Sequence, residues 1–224
     1  SGLHLHVCEG PEDVRHSLEH YGKPVVERLS QFGILGPKTI AAHCIHVTQS
    51  EIELLKTSGT TVVHNPQSNM GNAVGCAPVL YMMEQGVRVG LGTDGYTSDM
   101  LESMKAANLL HKHNYQNPSL SWGEPPEMLL KNNAAVASEH FGGKIGRLAP
   151  GAYADIIIMD YQPPTPLTAD NIDSHLLFGV SGLSVETTVI NGRVRMLDRQ
   201  LVDIDETEMA GKARQWASQI WKAF

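Results

Sequence analysis

The chain has 224 residues, 42% hydrophobic and 18% charged, which is ordinary for a folded protein and enough for one large domain or two small ones. Its net charge is −7 and its 17 Lys and Arg residues do not cluster, which disfavours a nucleic-acid partner. No run approaches the ~18 apolar residues that span a bilayer. The three cysteines, Cys8, Cys44 and Cys76, form no C-x-x-C pair, and so suit a reducing, cytoplasmic compartment.

In chain order, a strand is expected at 3–8, followed by one or two helices broken near Gly22 and Pro24. A second strand, 39–44, precedes a helix with Thr48 or Ser50 as N-cap and Gly59 as C-cap. The third strand, 60–64, exits into a long polar and Gly-rich loop, HNPQSNMGNAVGCAP, the kind of segment in which binding residues sit. After a short helix comes the fourth strand, 87–92, and then a helix capped by Ser98 or Asp99. A further helix is expected near 124–141. The texture changes at Gly146: a strand at 154–159 and a hairpin turning on Asn191-Gly192 make an antiparallel block, and an amphipathic helix from about Glu206 ends the chain.

The first four strands share one feature. Each is an apolar, β-branched run that climbs to a polar end: His6 with Glu9, then His43, His64 and Asp94. A parallel barrel presents its chemistry at the C-terminal ends of its strands in this way. Helix-containing crossovers fit a barrel or an open doubly wound sheet. The nucleotide-binding form of the open sheet wants G-x-G-x-x-G after its first strand, and none occurs.

Singly, these residues leave two readings open. His4 and His6 are two apart and so share a strand face, which suits either a metal pair or two hydrogen-bonded core histidines. His43 and His64 each end an apolar strand and could be satisfied core histidines. Asp94, beside Gly95, could admit a ligand or cap the next helix. His16, His20, His111, His113 and His140 fall in helical segments and read as surface or interhelix residues, while His175 falls in the antiparallel block. Cys8 and Cys44 read as buried small apolar residues. Jointly, the strand ends make a His and carboxylate set suited to Zn2+, with Fe2+ or Mn2+ as alternatives. Such an ion lowers the pKa of a bound water from about 16 to about 7.

The ordered motifs H-x-x-E (6–9), A-H-C-x-H (42–46), H-N-P-x-S-N (64–69) and G-T-D-G (92–95) resemble the amidohydrolase superfamily, in its aminohydrolase and chlorohydrolase branch. The loop SNMGNAVGCAPV, the helix SMKAANLLHKH and the closing G-x-L-x-x-G-x-x-A-D-I-I-I-M-D most resemble SsnA-like aminohydrolases. The resemblance implies an α/β fold: strands five to eight of a TIM-type (β/α)8 barrel in 1–145, part of a composite β-sandwich in 146–205, and a C-terminal helix, 206–224. It assigns His6 and Asp94 as ligands of one divalent metal. Glu9 would protonate a ring nitrogen, His43 would polarise the substrate or the attacking water, and Asp94 would serve as general base. His64, Ser68 and Asn69 would line the substrate pocket.

The reaction so implied is attack of water on a cyclic amidine, such as a purine or pyrimidine, with loss of ammonia. A triazine-type chlorohydrolase, or a non-catalytic fragment or assembly subunit, is the alternative. The family's first-strand H-x-H has no counterpart, so the chain is expected to be the C-terminal half of its protein. The expected partners are the N-terminal half, on the order of 200 residues by ordinary barrel sizes, a small heterocyclic substrate, and a second copy of the chain.

Overall fold

The computed structural model describes residues 2–224. Strand β1 (His4–Val7) is followed by helices α1 (Pro11–Tyr21) and α2 (Val25–Gln31), then β2 (Ile40–His43) and α3 (Gln49–Ser58). Strand β3 (Thr61–His64) leads to α4 (Pro66–Gly71) and α5 (Val79–Glu84), and β4 (Val89–Leu91) to α6 (Met100–Tyr115). The four strands form one parallel sheet in sequence order. Registers place His6 opposite Ala42, Ala42 opposite Val63, and Val63 opposite Gly90. Val7, Val62, Val89 and Leu91 of the strands are buried together with Val26, Leu55, Met82 and Met104 of the helices. Each such side chain contributes roughly 1.5–3 kcal/mol.

The helix boundaries follow local chemistry. Thr48 caps α3 in a capping box with Glu51, and Gly59 ends that helix in the left-handed conformation. Glu51 is buried and serves two helices: its Oε2 accepts from the Thr48 amide and its Oε1 from the Val26 amide of α2, both at 2.9 Å. Asp99 caps α6 through the amides of Leu101 and Glu102. The stretch expected to be a continuous loop after β3 contains α4 instead. Pro66 stands in its first turn, where a missing N–H costs nothing and the fixed φ is already helical.

After α6 the chain forms a helical segment in three parts. They are α7 (Glu124–Pro126), a π-helical turn (Glu127–Asn132) and α8 (Asn133–Phe141). The wide turn brings two successive asparagines to the outer edge of β4. Asn133 Oδ1 accepts from the Leu91 amide at 3.0 Å, and Asn133 Nδ2 donates to the Leu91 carbonyl at 2.8 Å. Asn132 Nδ2 donates to the Val89 carbonyl at 2.9 Å. Side-chain amides thus take the place of a neighbouring strand. Gly90 permits the approach, since a Cβ there would lie 2.5 Å from Asn133 Oδ1.

The remaining strands, β5 (Ile156–Met159), β6 (Val185–Ile190), β7 (Arg193–Leu197) and β8 (Gln200–Leu201), form a separate antiparallel sheet in sequence order. Asn191 and Gly192 both have positive φ, 49° and 73°, as a type I′ turn requires. The block is not wholly β. Helix α9 (Ile172–Phe178) lies between β5 and β6 and carries His175, which is buried and contacts the hydroxyls of Tyr161 (2.6 Å) and Thr165 (3.2 Å). Asp99 joins this block to the start of α6, its Oδ2 accepting from the Gly182 amide at 2.7 Å. Helix α10 (Glu206–Ile220) follows, and buries none of its residues. Among the described residues, no helix is long and apolar enough to cross a membrane.

Candidate active site

The chemistry gathers where the parallel strands end. By register His6 shares a sheet face with Ala42, whereas His43 pairs with Val7 on the opposite face. The ring centroids of His6 and His43 are nevertheless only 5.2 Å apart. The backbone supplies the reason: His43 has φ +72°, in the left-handed region, which swings its imidazole off the alternation. Cys8 (49°), Cys44 (49°) and Asp94 (51°) are left-handed as well. A non-glycine residue in this region costs about 1–2 kcal/mol. Strain of this kind concentrates where a strand must aim a side chain rather than continue.

His6, His43 and Asp94 each offer a ligand atom, and these atoms all lie within 4.8 Å of one another. Donors bound to one zinc ion at about 2 Å stand roughly 3–4 Å apart, so a small side-chain movement completes the set. Two imidazoles and a carboxylate suit Zn2+, Fe2+ or Mn2+. His43 is fully buried and its Nε2 has no hydrogen-bond partner. That nitrogen lies 3.6 Å from Glu9 Oε2 and 3.5 Å from Asp94 Oδ2, too far for a direct hydrogen bond to either. An unpartnered buried nitrogen between two carboxylates fits a site built for an ion, a water or a substrate atom.

Helix α4 and its C-cap hold these groups. Asn69 Oδ1 lies 2.8 Å from His43 Nδ1. A carbonyl oxygen only accepts, so Nδ1 carries the proton of this bond and Nε2 is the nitrogen that faces the two carboxylates. Ser68 Oγ donates to Asp94 Oδ2 at 2.7 Å, and the Gly95 amide donates to Asp94 Oδ1 at 2.8 Å. The Ser68 hydrogen bond, aided by that of Gly95, holds the Asp94 carboxyl below its ordinary range against a partial burial penalty. Asn72 Nδ2 donates to Glu9 Oε1 at 3.2 Å. The Glu9 main chain is fixed in turn by Asp13, whose Oδ2 accepts from the Glu9 amide at 3.0 Å.

The expected site residues therefore divide. His6, Glu9, His43 and Asp94 come together. Ser68 and Asn69 are buried and bond to Asp94 and His43. His64 pairs with Leu91 in register and is fully buried, its ring centroid 5.0 Å from that of His111. Burial, reinforced by His111, drives the His64 pKa well below its usual 6.5, and burial pushes His111 down to about 4. His111, expected at a surface or between helices, is instead fully buried against a strand-end residue, with Nδ1 3.4 Å from Cys76 Sγ. Burial raises the Cys8 and Cys76 thiols to about 12 and about 11, and raises Cys44 as well, so none is an activated nucleophile. Sequence reasoning missed Asn72. Its spacing of four from Ser68 carries a signal only once α4 is recognised as a helix.

The family model described as the amidohydrolase family matches residues 1–195. The chain belongs to the amidohydrolase family. It is 37% identical over 224 residues to a 5′-deoxyadenosine deaminase of Methanosarcina mazei, covering 98% of this chain and 51% of that protein. It is 36% identical over 225 residues to a 5-methylthioadenosine/S-adenosylhomocysteine deaminase of Syntrophomonas wolfei, again with 98% and 51% covered. Among solved structures, an adenosine deaminase from Xanthomonas campestris crystallised with bound zinc superposes with a TM-score of 0.86 at 27% identity, covering 99% of this chain and 51% of that one. The chain spans about half the length of the curated relatives it matches.

Proposed function

We propose that the protein is a metal-dependent aminohydrolase that deaminates an adenosine derivative, and that this chain supplies the C-terminal half of its active site. In this reading residues 1–145 are strands five to eight of a (β/α)8 barrel, 146–205 are part of a composite β-sandwich, and 206–224 are its C-terminal helix. The observation that carries it is the convergence of His6, Glu9 and Asp94 on the unpartnered Nε2 of buried His43. The deaminase relatives and the zinc-bound structural neighbour support the substrate class and the metal.

His6 and Asp94 would hold the ion, most naturally Zn2+, with His43 in reach of the same position. When bound, a divalent metal makes water nucleophilic near neutral pH. Asp94 takes a proton from the attacking water. Glu9, through the oxygen not tied to Asn72, gives a proton to the ring nitrogen of the amidine. His43 presents Nε2 to the oxygen being added, because Asn69 occupies Nδ1. Water adds across the C=N bond, the exocyclic nitrogen takes up the proton held by Asp94, and ammonia leaves as the carbonyl forms and the hydroxyl proton returns to Glu9. Two ligands hold zinc weakly against the usual three or four, so the N-terminal half of the same protein completes the site.

The test is ammonia release from 5′-deoxyadenosine, 5′-methylthioadenosine and S-adenosylhomocysteine. The intact zinc-loaded protein turns over at least one of them, and the isolated 224-residue chain turns over none. A stoichiometrically zinc-loaded intact protein that releases no ammonia from any of the three contradicts the proposal.

A further inference from the structure

One turn of chain reaches all three reacting side chains. Ser68, Asn69 and Asn72 hydrogen-bond to Asp94, His43 and Glu9 respectively. The first two act through buried atoms on α4, whereas Asn72 is its solvent-facing C-cap. Ser68 and Asn72 are four apart and so lie on one side of the turn. Asn72 Nδ2 carries two N–H groups and both are engaged, one with Glu9 Oε1 at 3.2 Å and one with Ser68 Oγ at 3.3 Å. Ser68 Oγ accepts from Asn72 and donates its own O–H to Asp94 Oδ2 at 2.7 Å. The result is a chain of hydrogen bonds from one carboxylate to the other, donating at both ends.

We infer that Asn72 is a positioning residue for the deamination proposed above, on which this inference rests. It ties Glu9 Oε1, and so leaves Oε2, the oxygen 3.6 Å from His43 Nε2, as the one that exchanges a proton with substrate. The amide donor is the active feature. A carboxyl group whose two oxygens are distinguished in the resting site presents its proton in one place, and a displacement of about 1 Å in such a group costs on the order of 100-fold in rate. The Asn72 side chain hydrogen-bonds to Glu9 and Ser68 and to none of His6, His43 and Asp94, so its removal separates proton delivery from metal retention.

Two variants of the intact, zinc-loaded protein test this. Asn72→Ala removes the donor at an exposed position whose backbone N–H still bonds to the Ser68 carbonyl. Asn72→Asp keeps the shape and replaces the donor with a third carboxylate. The expected result is a fall in kcat of about tenfold for Asn72→Ala, from loss of one hydrogen bond to the Glu9 carboxyl, and a larger fall for Asn72→Asp. KM stays within about twofold and zinc content is unchanged. A packing role predicts the opposite order, with the isosteric Asn72→Asp close to wild type. Crystal structures of the zinc-loaded variants give a readout independent of turnover, in which Glu9 leaves its present rotamer. Wild-type kcat in both variants, zinc loss in parallel with kcat, or an unmoved Glu9 overturns the inference. A wild-type protein without deaminase activity overturns the functional reading instead, and the position of Glu9 then still decides whether Asn72 orients it.

Discussion

Acid should weaken this protein through His111, and the effect can be worked from the structure. The imidazole is fully buried on α6, its Nε2 has no partner, and its pKa lies near 4 instead of the ordinary 6.5. A group whose folded pKa is depressed is protonated first in the unfolded chain. Its stabilisation is therefore complete above about pH 6.5 and is lost as pH falls towards 4. Each unit is worth about 1.4 kcal/mol, so His111 accounts for roughly 2 kcal/mol lost between pH 6.5 and 5, and about 3 kcal/mol by pH 4. His64 titrates in the same direction and is coupled to His111, so the pair lose stability together. The perturbation is His111→Leu, which removes the proton site and keeps an apolar filler. The assay is urea unfolding of wild type and variant at pH 7, 6 and 5. The variant should lose about 2 kcal/mol less than wild type over that range. Parallel stability curves for the two proteins would refute the argument.

Further expectations follow from the contacts. Asn133→Ala should destabilise by about 1–3 kcal/mol, because it strips both the amide and the carbonyl of buried Leu91 of their partners; thermal and urea unfolding check it. Ser68→Ala should shift the acid release of zinc to higher pH. It removes the hydrogen bond that does most to hold Asp94 below its ordinary range, so the carboxylate is protonated sooner as pH falls. Zinc content measured across a pH series from 7 to 4 reads this directly, and an unchanged midpoint counts against it.

The convergence of the candidate site was legible in part because its signals were local. A β-branched run ending in His or Asp announces a strand exit, and four such exits in succession named His6, His43 and Asp94 before any geometry was known. The helix ends were legible for the same reason. Thr48, Asp99 and Gly59 act on their own helices, and Asn191-Gly192 forms its turn without outside help. The support was not legible. Ser68 meets Asp94 across 26 residues and Asn72 meets Glu9 across 63. Asn132 and Asn133 look like ordinary helix residues until a π-helical turn aims both at one strand. His64 shows that one strand-end pattern can place its side chain in two ways. It has the same sequence context as His43, but without a left-handed backbone it stays on the alternation and is buried against His111.

The central claim is that Asp94 holds metal and takes a proton whereas Glu9 only moves one. Zinc content and ammonia release measured side by side on Asp94→Asn and Glu9→Gln in the intact protein test it most directly. The account predicts that Asp94→Asn loses both metal and turnover, and that Glu9→Gln keeps its zinc while losing rate. Equal zinc loss in the two variants, or full zinc retention in Asp94→Asn, would contradict it.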